Sequence, residues 1–464
     1  MVFADRIENI LARSAGWITT QRWYGDKSRV ATSLRPENIM PVEVGKVHSA
    51  LAMLRISYER GDDSRYFVPV IISDEAKPGE PEDALRNDAF LRWFAAGFAE
   101  NRTIDGGWSW QHASPDVPDA DRVASGTVRV ISSEQSNTSV VVDDRWIVKV
   151  FRKLQPGINP DLEIGAFLTR GERFTHVPAL YGLAEVQGRG ESITIAALQE
   201  FVPNAGDGWS WLLGRLASLD ETSIDDLVAA IGLLGQRTAE LHLALASDTQ
   251  DPAFAPEEMT QNDAEVTIRR IIAEMEQSVE GLARRLTPDD VERIHKGIGQ
   301  LMGGAWSLVG SRKTRVHGDY HLGQTLRTLD DDFCIIDFEG EPSRPMEQRR
   351  EKQTPLKDVA GMLRSLDYAA ATAMELTREA GRQDAIRAWL ERAGTAYQDA
   401  YRRTIMMSPV DLVPRDPDAF RAGLDVMIAE KALYEVRYEL DNRPDWLAIP
   451  LNGIRRLVGI PVPE

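Results

Sequence analysis

The decisive stretches of this chain are RVHGDYHLGQTLR at residues 315–327 and FCIIDFEG at residues 333–340. Asp319 lies in a segment that we expect to be a short loop, and Gln324 follows it in the same stretch. Asp337 ends an apolar run, as the last residue of a strand would. Phosphoryl transfer needs one carboxylate to accept the proton of the attacking hydroxyl and two oxygen ligands to hold Mg²⁺ against the phosphates. The two stretches contain such a set in the required order.

The same order occurs in protein kinases, whose pattern is H-R-D-x-x-x-x-N followed by D-F-G. Here the pattern is His317-Gly-Asp319, then Gln324, then Asp337-Phe-Glu339. Taken singly, each residue has a more ordinary structural interpretation, because Asp319 could cap a turn and Asp337 could cap the end of a strand. Their combination favours catalysis.

A competing catalytic interpretation is a metallophosphoesterase, whose G-D-x-H motif matches residues 318–321. That class also needs an upstream D-x-H. Of the 7 histidines, only His321 has an aspartate two residues before it, and it belongs to the same stretch. The G-N-H element is missing as well, and so are the Walker A, G-x-G-x-x-G, G-x-S-x-G and H-E-x-x-H motifs. This interpretation is therefore the weaker one.

Lys149 is the only charged residue of the strand-like run WIVKVF at residues 146–151. A lysine in a buried strand is costly unless it is paired, so we expect it to reach a phosphate and a carboxylate. Glu163, in the helix-like segment that follows, is the carboxylate we select. The alternative is that Lys149 extends its side chain into solvent from an edge strand. The polar residues 132–138 between two strands are a candidate phosphate-covering segment, since backbone N–H groups and hydroxyls can cradle phosphates.

Composition limits the possible partners and compartments. The chain has 464 residues, a net charge of −18 and 43% hydrophobic residues, which is typical of a globular protein. An acidic chain is a poor binder of the phosphate backbone, so no nucleic acid partner is expected. The single cysteine, Cys334, excludes a disulfide within the chain and indicates a reducing compartment. Without a signal-like N-terminus or an apolar segment of spanning length, we expect a cytoplasmic protein with no membrane partner.

The pattern along the chain changes from strands to helices after Pro203. Strand-like segments include 38–57, 65–73, 126–131, 139–142, 146–151, 178–185 and 192–201, with helical segments at 83–100 and 161–169. Helical segments then recur at 223–245, 262–284, 288–308, 356–377, 380–406 and 424–441. We therefore predict an N-terminal cap subdomain at 1–110, a β-rich lobe at 111–203 and an α-rich lobe at 204–464.

The chain resembles the aminoglycoside phosphotransferase-like, or eukaryotic-like, kinase superfamily, and within it the actinobacterial-type maltokinases. The resemblance covers nearly the whole chain and rests on six segments, namely QRWY at 21–24, EQSNTS at 134–139, VHGDYHLGQ at 316–324, IDFEGEP at 336–342, DVAGMLRSLDY at 358–368 and EKALYEVRYEL at 430–440. It implies an α+β class: a bilobal protein-kinase-like fold with a β-rich N-lobe, an α-rich C-lobe and an extra N-terminal α+β cap subdomain.

The resemblance also implies an activity: ATP phosphorylates the anomeric hydroxyl of maltose, giving maltose 1-phosphate for α-glucan synthesis from trehalose. It assigns Asp319 as catalytic base, Gln324 and Asp337 as Mg²⁺ ligands and Lys149 as the ligand of the nucleotide phosphates. Further nucleotide-binding residues are expected at Glu163, Ser136, Asn137, Thr138, Gln199, Glu200 and Val202. Gln324 in place of Asn, and Glu339 in place of the Gly of D-F-G, are usual in this branch. The resemblance also implies an association with trehalose synthase.

The last strong helix carries Lys431, Tyr434, Glu435 and Tyr438 close together on one side. Sugar sites commonly combine charged hydrogen-bonding groups with aromatic rings, although a solvated face with core-packing tyrosines is the ordinary alternative. By resemblance this segment belongs to the sugar pocket, and we add His321, Glu341 and Arg344 to the acceptor site. Two rival functions stay open: a kinase of glucosamine or another monosaccharide, and a non-catalytic kinase-fold partner of trehalose synthase.

Overall fold

The computed structural model describes residues 2–461, apart from residues 73–80, 115–118, 132–136, 172, 189, 191, 221–222, 283–284, 342–343 and 378. The chain divides into two compact units, Met1–Pro203 and Asn204–Glu464. This division falls where the sequence pattern changes from strands to helices. The further division of the first unit at residue 110 stays a prediction.

The first unit contains five helices and thirteen strands among its described residues. The helices are α1 (Val2–Ala12), α2 (Ala15–Thr20), α3 (Asp88–Ala99), α4 (Ala120–Ser125) and α5 (Pro160–Thr169). The strands are β1 (Ala31–Val44), β2 (Val47–Tyr58), β3 (Ser64–Phe67), β4 (Val70–Ile71), β5 (Glu82–Asp83), β6 (Thr103–Ile104), β7 (Trp108–His112), β8 (Val128–Val130), β9 (Asn137–Val142), β10 (Trp146–Phe151), β11 (Lys153–Leu154), β12 (Leu180–Gln187) and β13 (Ser192–Glu200).

These strands form two antiparallel sheets, of order β11-β3-β2-β4-β5, with β1 also paired to β2, and β6-β7-β12-β13-β10-β9-β8. The predicted strand-like segment 38–57 is a hairpin, because a two-residue turn at Gly45 and Lys46 separates β1 from β2. Gly45 has a φ of 61°, which suits the first position of such a turn. One apolar cluster joins both sheets, among others through Leu51, Phe94 and Val148.

The second unit is mainly helical in its described residues. Its helices are α6 (Gly208–Ala217), α7 (Ile224–Leu245), α8 (Gln261–Gly281), α9 (Pro288–Leu301), α10 (Met346–Arg349), α11 (Leu356–Leu376), α12 (Ala380–Ile405), α13 (Pro417–Asn442) and α14 (Ala448–Leu457). Its strands are β14 (Asn204–Asp207), β15 (Glu257–Glu258), β16 (Arg312–Lys313), β17 (Thr325–Thr328) and β18 (Phe333–Ile335). Strands β14, β17 and β18 form a small antiparallel sheet, and α7 packs on α12 while α11 packs on α13.

Helix α13 begins seven residues before the predicted start at 424. Asp416 caps it by accepting hydrogen bonds from the backbone N–H groups of Asp418 (3.0 Å) and Ala419 (2.9 Å), and Pro417 occupies the first turn. The helix ends before Pro444, as predicted. None of the helices that the structure describes is long and apolar enough to cross a membrane.

Candidate active site

The loop that carries Asp319 is held by hydrogen bonds to Asp358 in the first turn of α11. The carboxylate of Asp358 accepts hydrogen bonds from the backbone N–H groups of His317 (2.7 Å) and Gly318 (3.0 Å). His242 of α7 donates to the same carboxylate from Nε2 at 3.0 Å. Burial alone would raise the pKa of Asp358, but these partners, led by His242, lower it below its ordinary value. Asp358 therefore stays ionised while fully buried.

The side chain of His317 joins the two decisive stretches of sequence. Its Nε2 donates to the carbonyl oxygen of Ile336 at 2.9 Å, and its ring lies 4.9 Å from the ring of Phe338. The backbone N–H of Ile336 in turn donates to the carbonyl oxygen of Gln324 at 3.0 Å. These contacts place the residue after Ile336, which is Asp337, beside the loop of Asp319.

Gln324 and Asp337 are in direct contact. Nε2 of Gln324 donates to Oδ2 of Asp337 at 3.0 Å. Asp337 has a φ of 69°, a left-handed conformation that is uncommon for a residue with a side chain and that functional sites often contain. An amide and a carboxylate side by side provide oxygen donors of the kind Mg²⁺ prefers, so the residues fit a magnesium site.

Asp319 has a cationic partner on α13. Nζ of Lys431 lies 3.4 Å from Oδ1 of Asp319, and both side chains are about three-quarters buried. Burial would lower the pKa of Lys431, but the charges of Asp319 and Glu435 outweigh it and the pKa is raised. Lys431 therefore stays charged beside Asp319.

A cavity of about 890 Å³ in the second unit, which we call the aromatic cavity, contains Asp319 on its wall. Its aromatic rings include two stacked pairs, Tyr434 with Tyr438 (6.3 Å) and Tyr368 with Trp446 (6.1 Å). Its lining also includes Asp207, Trp209, His321, Lys431, Glu435, Glu439 and Arg443. Of the acceptor residues predicted from the sequence, five therefore lie on this wall: His321, Lys431, Tyr434, Glu435 and Tyr438.

The carboxylates of Glu435 and Glu439 in this cavity each accept hydrogen bonds from an arginine. Arg364 of α11 donates to Oε2 of Glu435 from Nε at 2.9 Å, and its Nη2 lies 2.8 Å from the same oxygen. Glu439 accepts from both Nε (2.9 Å) and Nη2 (2.7 Å) of Arg443 and from the hydroxyl of Tyr368 (3.1 Å). Burial raises the pKa of Glu435, against the opposing charge of Arg364.

His321 is a neutral group on the same wall. Its Nδ1 accepts a hydrogen bond from the backbone N–H of Gly323 at 3.1 Å, which leaves Nε2 to carry the proton. Burial lowers the pKa of His321 below its ordinary value of 6.5, although the charge of Asp319 opposes this. The imidazole can therefore donate one hydrogen bond from Nε2 near neutral pH.

Glu341 and Arg344 line a different space, a cavity of about 420 Å³ that we call the charged cavity. Arg344 donates to Glu341 at 2.6 Å, and Glu430 lies 3.0 Å from Arg270 and 3.8 Å from Lys357. Lys431, Tyr434 and Tyr438 border both cavities. Whether Glu341 and Arg344 contact the acceptor stays a prediction.

In the first unit, Lys149 lies on β10 between Ser139 of β9 and Ala197 of β13. Because β10 has a neighbour on each side, the edge-strand interpretation of Lys149 is wrong. Its Nζ donates to Asp161 Oδ2 at 3.1 Å, at the start of α5. From the sequence we expect Glu163 of the same helix instead of Asp161. The pairing of Lys149 with Glu163 stays a prediction.

The remaining nucleotide residues also lie in the first unit. Asn137 and Thr138 begin β9, and Gln199 and Glu200 end β13, just before Val202. The backbone N–H of Phe201, between Glu200 and Val202, donates to the carbonyl oxygen of Arg145 at 2.9 Å. Ser136 and the preceding polar residues of the predicted phosphate-covering segment fall outside the described residues. The roles of all these side chains stay predictions.

Sequence reasoning missed several residues of this site. Asp358 and Tyr368 lie in a segment that supported the resemblance, but no role was assigned to either. Glu439 on α13 and Arg443 directly after it continue the spacing of Lys431 and Glu435, so extending that helical periodicity by two turns would have found them.

Comparison with known proteins decides the family. A sequence model described as the phosphotransferase enzyme family, APH, matches residues 127–403. The chain belongs to this family. A second model, the maltokinase N-terminal cap domain, matches residues 17–90. The predicted kinase-like fold with an N-terminal cap is therefore confirmed, and so is the prediction of a phosphotransferase that acts on an alcohol group.

Two similar proteins are glucosamine kinases. The protein from Streptacidiphilus jiangxiensis is 30% identical over 328 residues, which are 69% of this chain and 71% of the relative. The protein from Mycolicibacterium smegmatis (strain ATCC 700084 / mc(2)155) is 32% identical over 327 residues, or 69% and 77%. A solved glucosamine kinase structure (crystal form B) has a TM-score of 0.73 at 24% identity, over 97% of this chain and 99% of that one. The phosphotransferase is thus a sugar kinase.

Proposed function

We propose that this sugar kinase uses ATP to phosphorylate the anomeric hydroxyl of maltose, giving maltose 1-phosphate. The observation that carries the proposal is the wall of the aromatic cavity. Its volume of about 890 Å³ lies at the upper end of ordinary ligand pockets, about 300–1,000 Å³. Its two stacked aromatic pairs offer apolar ring faces to the C–H groups of two sugar rings. A disaccharide suits this wall better than a single ring does.

The charges on the same wall favour a neutral sugar. The carboxylates among its described lining residues are Asp207, Asp319, Glu435 and Glu439. The last three are paired with Lys431, Arg364 and Arg443 respectively, and Asp207 caps α6 by accepting from Ser210. An ammonium substituent needs a carboxylate free to offset its desolvation. The match of residues 17–90 to the maltokinase cap also supports maltose.

Glucosamine is the second candidate acceptor, because the similar proteins are glucosamine kinases. One solved relative is a complex with glucosamine, ADP and inorganic phosphate, with a TM-score of 0.71 at 23% identity over 97% of this chain and 98% of that one. Because that relative binds ADP, we infer that this chain also uses ATP as the phosphoryl donor. The ammonium group of an amino sugar would have to pair with Asp207, which belongs to none of the described ion pairs, or to open one of the three ion pairs on the cavity wall.

Residues of both units take part in the proposed phosphoryl transfer. Lys149 would hold the phosphates of ATP, and Gln324 and Asp337 would hold Mg²⁺, which neutralises charge on the transferred phosphoryl group. Asp319 accepts the proton of the attacking sugar hydroxyl. Lys431 orients Asp319 through their contact at 3.4 Å, while neutral His321 can donate a hydrogen bond to an oxygen of the sugar.

The test is release of ADP, measured by a coupled assay with maltose, with glucosamine and with no acceptor. We expect release with maltose to exceed both other rates clearly. Release with glucosamine but not with maltose would select the second candidate. Binding of ATP without release in any mixture would select a non-catalytic kinase-fold partner instead.

Asp319 is tested separately by the variant Asp319→Asn, which keeps the shape of the side chain and removes the proton acceptor. Loss of a general base lowers turnover about 10²- to 10⁴-fold. Binding of ATP, measured by calorimetry, should change little. Unchanged turnover would remove Asp319 from this role, and loss of ATP binding would make it a metal ligand instead.

Association with trehalose synthase, which the resemblance implies, is a further part of this proposal. Size-exclusion chromatography of the two purified proteins together tests it. We expect them to elute as one complex, and separate elution at micromolar concentrations would contradict the association.

A further inference from the structure

The QRWY segment at residues 21–24 has no part in the chemistry described so far, yet it meets the residues that follow Lys149. Nε1 of Trp23 donates to Oδ2 of Asp83 at 3.2 Å. Nη2 of Arg152 donates to the same oxygen at 2.5 Å, and its guanidinium lies 4.7 Å from the ring of Trp23. Trp23 and Asp83 therefore fix the guanidinium of Arg152 from two directions.

Arg152 continues this chain of contacts into the second sheet. Its Nε donates to Oγ1 of Thr138 at 2.9 Å. Thr138 lies opposite Val150, next to Lys149 on β10, and the backbone N–H of Phe67 donates to the carbonyl oxygen of Arg152 at 2.8 Å. Arg152 is only 1% exposed. A buried guanidinium that is paired through both Nε and Nη2 has little freedom to reorient.

The direction of the Arg152–Thr138 hydrogen bond is fixed by chemistry. A guanidinium carries donors only, so Oγ1 of Thr138 must accept. The hydroxyl hydrogen of Thr138 must then point away from Arg152, where it can donate to another acceptor. A phosphate oxygen is an acceptor of the required kind.

We propose that Arg152, held by Trp23 and Asp83, is a positioning residue that orients the hydroxyl of Thr138 toward a phosphate of the bound nucleoside triphosphate. The inference rests on the proposed use of ATP and on the role in nucleotide binding that we predict for Thr138 from the sequence. It gives the N-terminal cap a function, because Trp23 and Asp83 hold a residue that serves the nucleotide. Loss of this orientation weakens nucleotide binding and leaves the acceptor side of the reaction unchanged.

The variants Trp23→Phe and Arg152→Gln test the proposal through steady-state kinetics and through calorimetric binding of ADP and ATP. Trp23→Phe keeps an aromatic ring but removes the indole N–H together with part of the buried ring volume, and it leaves Arg152 itself in place, so it is the milder change. We expect the KM and Kd for ATP to rise about three- to tenfold, the worth of one hydrogen bond. The kcat at saturating ATP and the KM for the sugar should stay within about twofold, which a merely structural defect would not preserve.

The matched control is Lys153→Gln, in the residue next to Arg152. Lys153 pairs with Asp26 at 2.9 Å and makes no contact with Thr138 among the contacts described. Its loss should leave the KM for ATP unchanged. An equal rise in Lys153→Gln and Arg152→Gln, or an unchanged value in both Trp23→Phe and Arg152→Gln, would overturn the proposal.

A double-mutant cycle asks whether Arg152 acts through Thr138. In a Thr138→Val background, Arg152→Gln should have little further effect on ATP binding, whereas in a Thr138→Ser background, which keeps the hydroxyl, the effect of Arg152→Gln should persist. Additive effects would overturn the proposal. Because calorimetry needs no acceptor sugar, the result stands even if the chain proves not to phosphorylate maltose.

Discussion

Replacement of Arg364 by Met should strongly destabilise the second unit and disturb the aromatic cavity. Arg364 is 1% exposed and binds Glu435 at 2.8–2.9 Å and Asp367 at 2.5 Å. Met fills a similar volume but carries no charge, so buried Glu435 loses its hydrogen-bonded partner and keeps only the charge of Lys431 nearby. Asp367 keeps a second partner, Arg456, at 3.2 Å. Removing one partner of a buried ion pair lowers the free energy of unfolding by about 3–5 kcal/mol.

This cost is large enough for thermal unfolding to measure. For domains of about 150–250 residues, 1 kcal/mol shifts the midpoint by about 2–4 °C, so we expect a fall of roughly 6–20 °C. The cost should also depend on pH. Burial raises the pKa of Glu435 above 4.5, and loss of Arg364 raises it further. A carboxyl group with a raised folded pKa destabilises more as pH rises, so the difference between the variant and the unmodified chain should be larger at pH 7 than at pH 5.

Two further variants separate the ion pair from general damage. Arg387→Met breaks an exposed ion pair, in which the side chains of Arg387 and Asp384 are 58% and 75% exposed. This change should lower the free energy of unfolding by no more than about 0.5 kcal/mol. Adding Glu435→Gln to Arg364→Met should recover part of the stability, because no charge is then left buried. An unchanged midpoint in Arg364→Met, or a double variant less stable than the single one, would refute the reasoning.

Three more predictions follow from the loop of Asp319. A Cβ on Gly361 would lie 2.5 Å from the carbonyl oxygen of Tyr320, so Gly361→Ala, although it is in a helix, should lower both turnover and the thermal midpoint; a midpoint that rises, as helix propensity alone predicts, would contradict this. Asp358 has a lowered pKa, so its contribution to stability is complete above about pH 4 and is lost in more acidic solution, and acid titrations of Asp358→Asn should lack this loss. Lys431→Met should reduce kcat about tenfold or more without changing the Kd for ATP, because Asp319 loses a partner at 3.4 Å, and equal turnover would show that Lys431 only lines the cavity.

The parts of this site that sequence reasoning could predict are local. Asp319, Gln324 and Asp337 lie within one hairpin-like region. Gln324 precedes β17 and Asp337 follows β18 at the same end of this antiparallel pair, which explains their contact. Lys149 could be placed on a buried strand because its neighbours are apolar. These inferences need only the alternation of strands and the chemistry of oxygen ligands.

The parts that could not be predicted depend on contacts between distant segments. Asp358 meets the backbone of His317 across 41 residues, and Lys431 meets Asp319 across 112. A single sequence carries no signal for such pairings, because either residue could equally lie on a solvated face. The early start of α13 was missed for a different reason: its cap, Asp416, precedes the apolar periodicity that identified the helix.

The residues that select the sugar and the residues that carry out phosphoryl transfer come largely from different structural elements. The hydrogen bonds that place Asp319, Gln324 and Asp337 come from their own region and from α11. Half of the charged and aromatic residues that line the aromatic cavity come instead from α13 and the residue that follows it. Changes on α13 can therefore alter the acceptor without moving the reacting groups. Lys431 is the exception, because it lines both cavities and also binds Asp319, so a change there alters acceptor binding and proton transfer together.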